Sequence, residues 1–128
     1  MSDTSLDVEV VLVQYAAGVL PGFKVYGGEL PPGFEGKGLP AVRFIALPAR
    51  ETARAWNGPG LLNRADVDVD VYDTDPESVA DSAALVRSRL DTFSHPSVGV
   101  LGAPAFSRRP DWNDNVRRRG AVLSLVTR

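Results

Sequence analysis

The chain has no cysteine and a single histidine in 128 residues. Without cysteine, neither a disulfide framework nor a thiolate metal site can form, although the redox compartment stays open. The one histidine, His95, stands before a proline in a helix-ending turn. A metal site or a Ser-His-Asp triad needs further members in fixed geometry, and the sequence supplies none. His95 therefore reads as a capping or turn residue. An excess of basic charge is missing too. Fourteen Lys and Arg stand against sixteen Asp and Glu, for a net charge of −2 and a pI near 5.3. That balance argues against a general nucleic-acid binder. No apolar run approaches the roughly 20 residues of a membrane helix. The opening MSDTSLDVEVV lacks a basic leader region, so no secretory signal is read, and the expected place of synthesis and residence is the cytoplasm.

What is present fits one domain spanning 1–128, long enough to bury a core without staples. TSLDVEVVLVQYAA (4–17) predicts a helix, although its β-branched run VEVVLV also suits a strand. Thr4 or Ser5 would cap it, Asp7 and Glu9 would sit in its first turn, and Leu6, Val10, Val13 and Ala17 would form the buried stripe. FKVYG (23–27) alternates as a short strand. The stretch 27–40 is rich in glycine and proline and reads as a loop, long enough to become ordered on a partner. AVRFIALPA (41–49) is a strand that Pro48 closes or places at an edge. A polar connection with a turn at Asn57-Gly58-Pro59-Gly60 covers 50–60. Neither glycine-rich stretch has the lysine and serine or threonine of a phosphate loop, nor a dinucleotide-binding pattern.

LLNRADVDVDVYD (61–73) has the strictest alternation, and so is the clearest strand. A helix follows to about Thr92, with a Thr74-x-x-Glu77 capping box, Pro76 in the first turn, and Val79, Ala83, Val86 and Leu90 buried. GVLGAPAFSRRP (99–110) reads as a weaker strand. VRRRGAVLSLVTR (116–128) reads as a final strand with Ala121, Leu123 and Leu125 on one face. The expected fold is α+β: a mostly antiparallel twisted sheet of four to five strands with two helices packed on one face.

The chemistry-bearing stretch is DVDVDVYDTDPE (66–77), five aspartates and a glutamate in twelve residues. It imitates a calcium loop, with acids at positions 1, 3, 5 and 12. Position 6, where such a loop needs glycine for a sharp turn, is Val71. In a strand Asp66, Asp68 and Asp70 point the same way about 6–7 Å apart, so they cannot wrap one ion. On a wet face all three would stay ionised, which removes paired-carboxylate catalysis. The plain expectation puts Val67, Val69 and Val71 toward the core and the aspartates toward water. The functional expectation is that this face meets a partner, by pairing with Arg117, Arg118 and Arg119 of a neighbouring subunit or by facing DNA that must not stick. Arg108 and Arg109 are expected near those arginines. Trp56 and Trp112, in polar loops, read as core-edge or interface aromatics.

Two segments, NRADVDVDVYDTDPESVADSAALVRSRL (63–90) and PDWNDNVRRRGAVLSLVTR (110–128), together resemble the tail terminator proteins of long-tailed bacteriophages. The shared pattern is a strand of alternating acids and valines running into an alanine-rich helix, then a Pro-Asp-aromatic-Asn-Asp loop and a final strand. The resemblance spans about two thirds of the chain and leaves out the 27–40 loop. It implies a small α+β subunit of a hexameric ring. That ring would cap the head-proximal end of the tail tube, stop tube growth and offer the joining surface for the head–tail connector. DNA would pass through the channel without specific binding. No cofactor, membrane or catalysis is implied. The protein would be assembled in the host cytoplasm and end in the virion tail. The rival expectations are a neck connector, adaptor or stopper, and, from another class, a small enzyme or ligand-binding domain recognisable by a concave polar pocket.

Overall fold

The computed structural model describes residues 7–30, 34, 38–48 and 63–127; Thr4, Ser5, Leu6 and the 50–60 connection with Trp56 lie outside them. Two helices and six strands follow in the order α1 (Val8–Val19), β1 (Lys24–Gly27), β2 (Ala41–Ala46), β3 (Asn63–Asp73), α2 (Pro76–Asp91), β4 (Val98–Val100), β5 (Ser107–Arg108) and β6 (Arg117–Thr127). They make one curled, mixed sheet in the order β1-β2-β3-β6-β4, with β5 also on β6. The fold is α+β, as expected, with six strands where four to five were expected. The stretch 99–110 does not hold one strand: Val98–Val100 and Ser107–Arg108 pair with different parts of β6, and Gly102 between them has φ +139°.

All strand pairs are antiparallel except β1–β2, which is parallel. Parallel neighbours need a connection of a dozen or so residues. That accounts for the length of the glycine- and proline-rich loop between them. Its described residues form no helix or strand, and Phe34 is buried within the same chain. β3 and β4 both run antiparallel to β6, so they are parallel to each other. α2 is their crossover, and β6 slots between them.

α1 starts two to three residues later than the sequence suggests. The Asp7 side chain accepts the backbone N–H groups of Glu9 and Val10 at 3.1 and 3.3 Å and is the N-cap. The buried stripe is Val8, Leu12, Ala16 and Leu20, while Val10 is 46% exposed. VEVVLV is apolar on two neighbouring stripes, so periodicity alone could not choose the phase. α2 is capped by Asp75, whose carboxylate accepts the Ser78 N–H at 2.8 Å, in place of the Thr74–Glu77 box. A carboxylate is favoured there by the positive end of the helix dipole. Its buried face is Val79, Ala83, Val86 and Leu90, as expected. His95 is a turn residue: its Nδ1 accepts the Ser97 N–H at 3.0 Å.

Both helices cover one face of the sheet. Val42, Phe44, Val67, Val69, Val71, Leu123 and Leu125 are fully buried against them. Among the described residues no helix is long and apolar enough to cross a membrane.

Candidate functional site

The face of the sheet away from the helices holds Arg43 of β2, Asp66, Asp68 and Asp70 of β3, and Arg118 of β6. Side chains of paired residues share a face, so the register of β2, β3 and β6 reads off in rows. The first row is Ala41–Tyr72–Arg118, the second Arg43–Asp70–Gly120, the third Ile45–Asp68–Val122, and a fourth sets Asp66 beside Ser124. β5 places Ser107 beside Gly120, and Arg109, the first residue past β5, donates its N–H to the Arg118 carbonyl at 3.2 Å.

Three guanidiniums converge on Asp70. Arg43 and Arg118 donate to its Oδ2 at 2.7 and 2.8 Å, and Arg109 donates to its Oδ1 at 2.8 Å. Arg109 also grips both oxygens of Asp68, at 2.8 and 2.9 Å, a two-pronged geometry that arginine suits better than lysine. To do so it lies flat over Gly120. A Cβ there would come within 2.5 Å of Arg109 Nε and 2.6 Å of Asp70 Oδ1, so no other residue fits without displacing the pair.

Burial by itself would raise the pKa of Asp70. The hydrogen bonds from Arg118 and Arg43 and the charges of Arg118 and Arg109 outweigh it and hold the carboxyl below its ordinary value. Arg109 and Arg118 are in turn pushed up, chiefly by their hydrogen bonds to Asp68 and Asp70. Burial pushes Tyr72 up as well, helped by the negative charge of Asp70.

The aspartates therefore do not simply face water. Asp70 is 1% exposed. Its partner Arg118 comes from the adjacent strand of the same chain, where pairing between subunits was expected. Asp66 accepts a hydrogen bond from Ser124 at 3.0 Å. Arg117 pairs with Asp111 at 2.6 Å at the sheet end. Arg119 points to the other face, beside α2. Trp112 is 46% exposed and meets Phe34 and Tyr72 edge-on. These rings join a second cluster, Phe34, Ala41, Tyr72 and Val116, at one end of the charged face.

Arg43 and Phe34 were not singled out from sequence; Arg109 was expected near Arg117, Arg118 and Arg119, and it lies beside Arg118, but its hold on Asp68 and Asp70 was not foreseen. Arg43 had a signal: in AVRF it sits between Val42 and Phe44, so alternation puts it on the polar face. Arg109 and Phe34 reach the site from loops and carry no such signal. A carboxylate held ionised by three guanidiniums is a poor proton carrier near neutral pH. Among the described residues no group of three or more His, Asp or Glu side chains is placed to hold a metal ion.

No family model matches the chain, and no curated protein does. One solved structure, of a protein carrying only a locus designation as its name, is similar over 94% of this chain and 90% of its own, with a TM-score of 0.53 at 20% identity. That likeness shows the fold alone.

Proposed function

We propose that the chain is a structural protein of a long-tailed bacteriophage, a tail terminator whose ring closes the head-proximal end of the tail tube and presents the surface that joins the head connector. One observation carries the reading. The two segments that resemble tail terminators, 63–90 and 110–128, are far apart in sequence yet form one unit: β3 and β6 pair along eleven positions, from Asn63↔Thr127 to Asp73↔Arg117, and α2 packs on them. The Pro110–Asp114 loop leads into β6 through a turn closed by the Trp112 N–H to the carbonyl of Val116, the residue before the strand, at 3.1 Å. The resemblance thus follows the centre of the fold and not a scattered set of positions.

The chemistry of the charged face agrees with a structural role. Its best-placed carboxylates are committed to arginines, which suits a stiff wall better than a reaction centre. Subunits of a ring meet by unlike surfaces, and closure comes from the rotation between them. The partners in this reading are further copies of the chain, the tail tube protein and the connector, with DNA passing through without specific contacts.

The test is to mix the purified chain with tail tubes of the same phage and view the ends by electron microscopy. A ring on one end with growth arrested is the expected result. Binding to portal-bearing heads and not to tubes would move the protein to the neck, as an adaptor or stopper. Binding to neither would overturn the reading.

A further inference from the structure

The side of α2 that faces β5 and β6 is cationic in a way the fold itself does not explain. Arg108 and Arg119 are direct register partners on β5 and β6, so their side chains leave the sheet on the same face. Like charges directly opposite one another destabilise a strand pair. Neither has a carboxylate partner among the described residues, and Arg119 Nε is buried without an acceptor. Arg119 lines an open groove of about 470 Å³ with Arg87, Ser88 and Asp91 of α2, a floor of Ala83 and Ala84, and Phe106 beyond, and Arg108 stands at its edge as the register partner of Arg119. Arg87 is held there by a bond from its Nε to the Ala103 carbonyl at 2.9 Å. The groove offers the guanidiniums of Arg87 and Arg119, with Arg108 at its edge, against the single carboxylate of Asp91, and adds a small apolar floor and an aromatic ring. It calls for a pair of carboxylates carried beside an apolar side chain.

The same chain displays such a group elsewhere. Residues 75–86, DPESVADSAALV, contain no base. Glu77 and Asp81 are exposed one turn apart on α2, and Leu85, one turn further on, is 39% exposed. Residues four apart on a helix have Cβ atoms about 5–6 Å apart. Directly opposed strand residues have Cβ atoms about 4.5–5.5 Å apart. Two carboxylates on one copy therefore match two guanidiniums on the next.

We infer that the groove between α2 and the β5–β6 pair receives the Glu77–Asp81–Leu85 face of a second copy. The contact is heterologous, with a different surface from each copy, and so adds subunits in one direction of rotation. This rests on the ring reading above and names the surface by which the ring closes.

Charge exchange tests it. One variant carries Glu77→Arg and Asp81→Arg; the other carries Arg108→Glu and Arg119→Glu. Each alone should self-associate about tenfold more weakly or less than the wild type. In an equimolar mixture each groove again meets an opposite charge, so sedimentation should show assembly restored to the wild-type size. Arg119 is half-buried, so Arg108→Glu alone, at an exposed position, is measured in parallel and should weaken association in the same direction. A mixture that stays as dissociated as its components overturns the inference, as does a wild-type chain that remains monomeric at its highest soluble concentration in low salt. If the variant carrying Arg108→Glu and Arg119→Glu lost retention on double-stranded DNA while the wild type was monomeric, the groove would belong to phosphate and the inference would fall. Rings seated on tubes with both variants unimpaired would remove this contact while leaving the terminator reading intact.

Discussion

The two faces of this sheet are built from alternate residues of the same strands, and they are held by different forces. On the helix side, Val67, Val69 and Val71 of β3 are fully buried among Val42, Phe44, Leu123 and Leu125. That side is stabilised by removing apolar surface from water, which has no preferred direction and little dependence on pH or salt. On the far side, Asp68 and Asp70 lie in the same strand, one position out of phase, and are held by Arg43, Arg109 and Arg118. Those contacts are directional and depend on ionisation. A single strand can thus carry a core and a lattice of ion pairs. The lattice gives the open face a defined shape without a second layer of helices over it.

The largest change expected on either face is Phe44→Ala, at about 3–5 kcal/mol by denaturant unfolding, because it opens a cavity in the helix-side core. Its effect should be the same at pH 7 and pH 4. Asp70→Ala should follow, at about 2–3 kcal/mol. Removing one partner of a buried pair costs about 3–5 kcal/mol when the others stay buried. Here the arginine side chains are 15–25% exposed and can turn partly toward water. Gly120→Ala should cost about 1–2 kcal/mol by forcing Arg109 off Asp70, and it should add little in an Asp70→Ala background, because both changes break one cluster.

The sign of the pH dependence follows from the depressed pKa of Asp70. A carboxyl whose folded pKa lies below its unfolded value stabilises the fold fully above the unfolded pKa, about 3.9 for aspartate. That stability is lost as the pH falls from there through the folded pKa. Wild-type stability should therefore fall off below about pH 4, more steeply than that of Asp70→Asn. Smallest of all should be the effect of moderate salt on the Asp70 pairs, since covered charges are weakly screened. The outer pair Arg117–Asp111, with side chains 36% and 32% exposed, should be weakened more.

Much of the helix side was legible in the sequence. Alternation fixed which β3 residues point inward, and the α2 stripe was right at all four positions because alanines, serines and charges flank it. The α1 stripe was not legible, since apolar β-branched residues occupy adjacent helical stripes there. On the open face the aspartates could be placed on one side of β3, and Arg117, Arg118 and Arg119 were expected to meet them from a neighbouring subunit; Arg118 does so from within the chain, joined by Arg43 and Arg109. Whether Asp70 meets water, a second subunit or this chain's own arginines depends on the register that brings Arg43 and Gly120 to either side of it, and on a loop that delivers Arg109. Register between strands far apart in sequence is set by tertiary packing and leaves no local mark. The parallel β1–β2 pair was missed for a related reason: its connection is a loop, not a helix, and lacks the periodicity that reveals most crossovers.

The Asp70 cluster is a lattice of ion pairs within one chain, and self-association should therefore depend on other surfaces. The most direct measurement is paired urea unfolding and sedimentation of the wild type and Asp70→Asn at pH 7 and pH 3. Asp70→Asn should be less stable than the wild type at pH 7, the gap should narrow at pH 3, and the assembly state at pH 7 should be the same for both. Unchanged stability at pH 7 together with lost assembly would contradict this, and would place the aspartate strand at the contact between subunits.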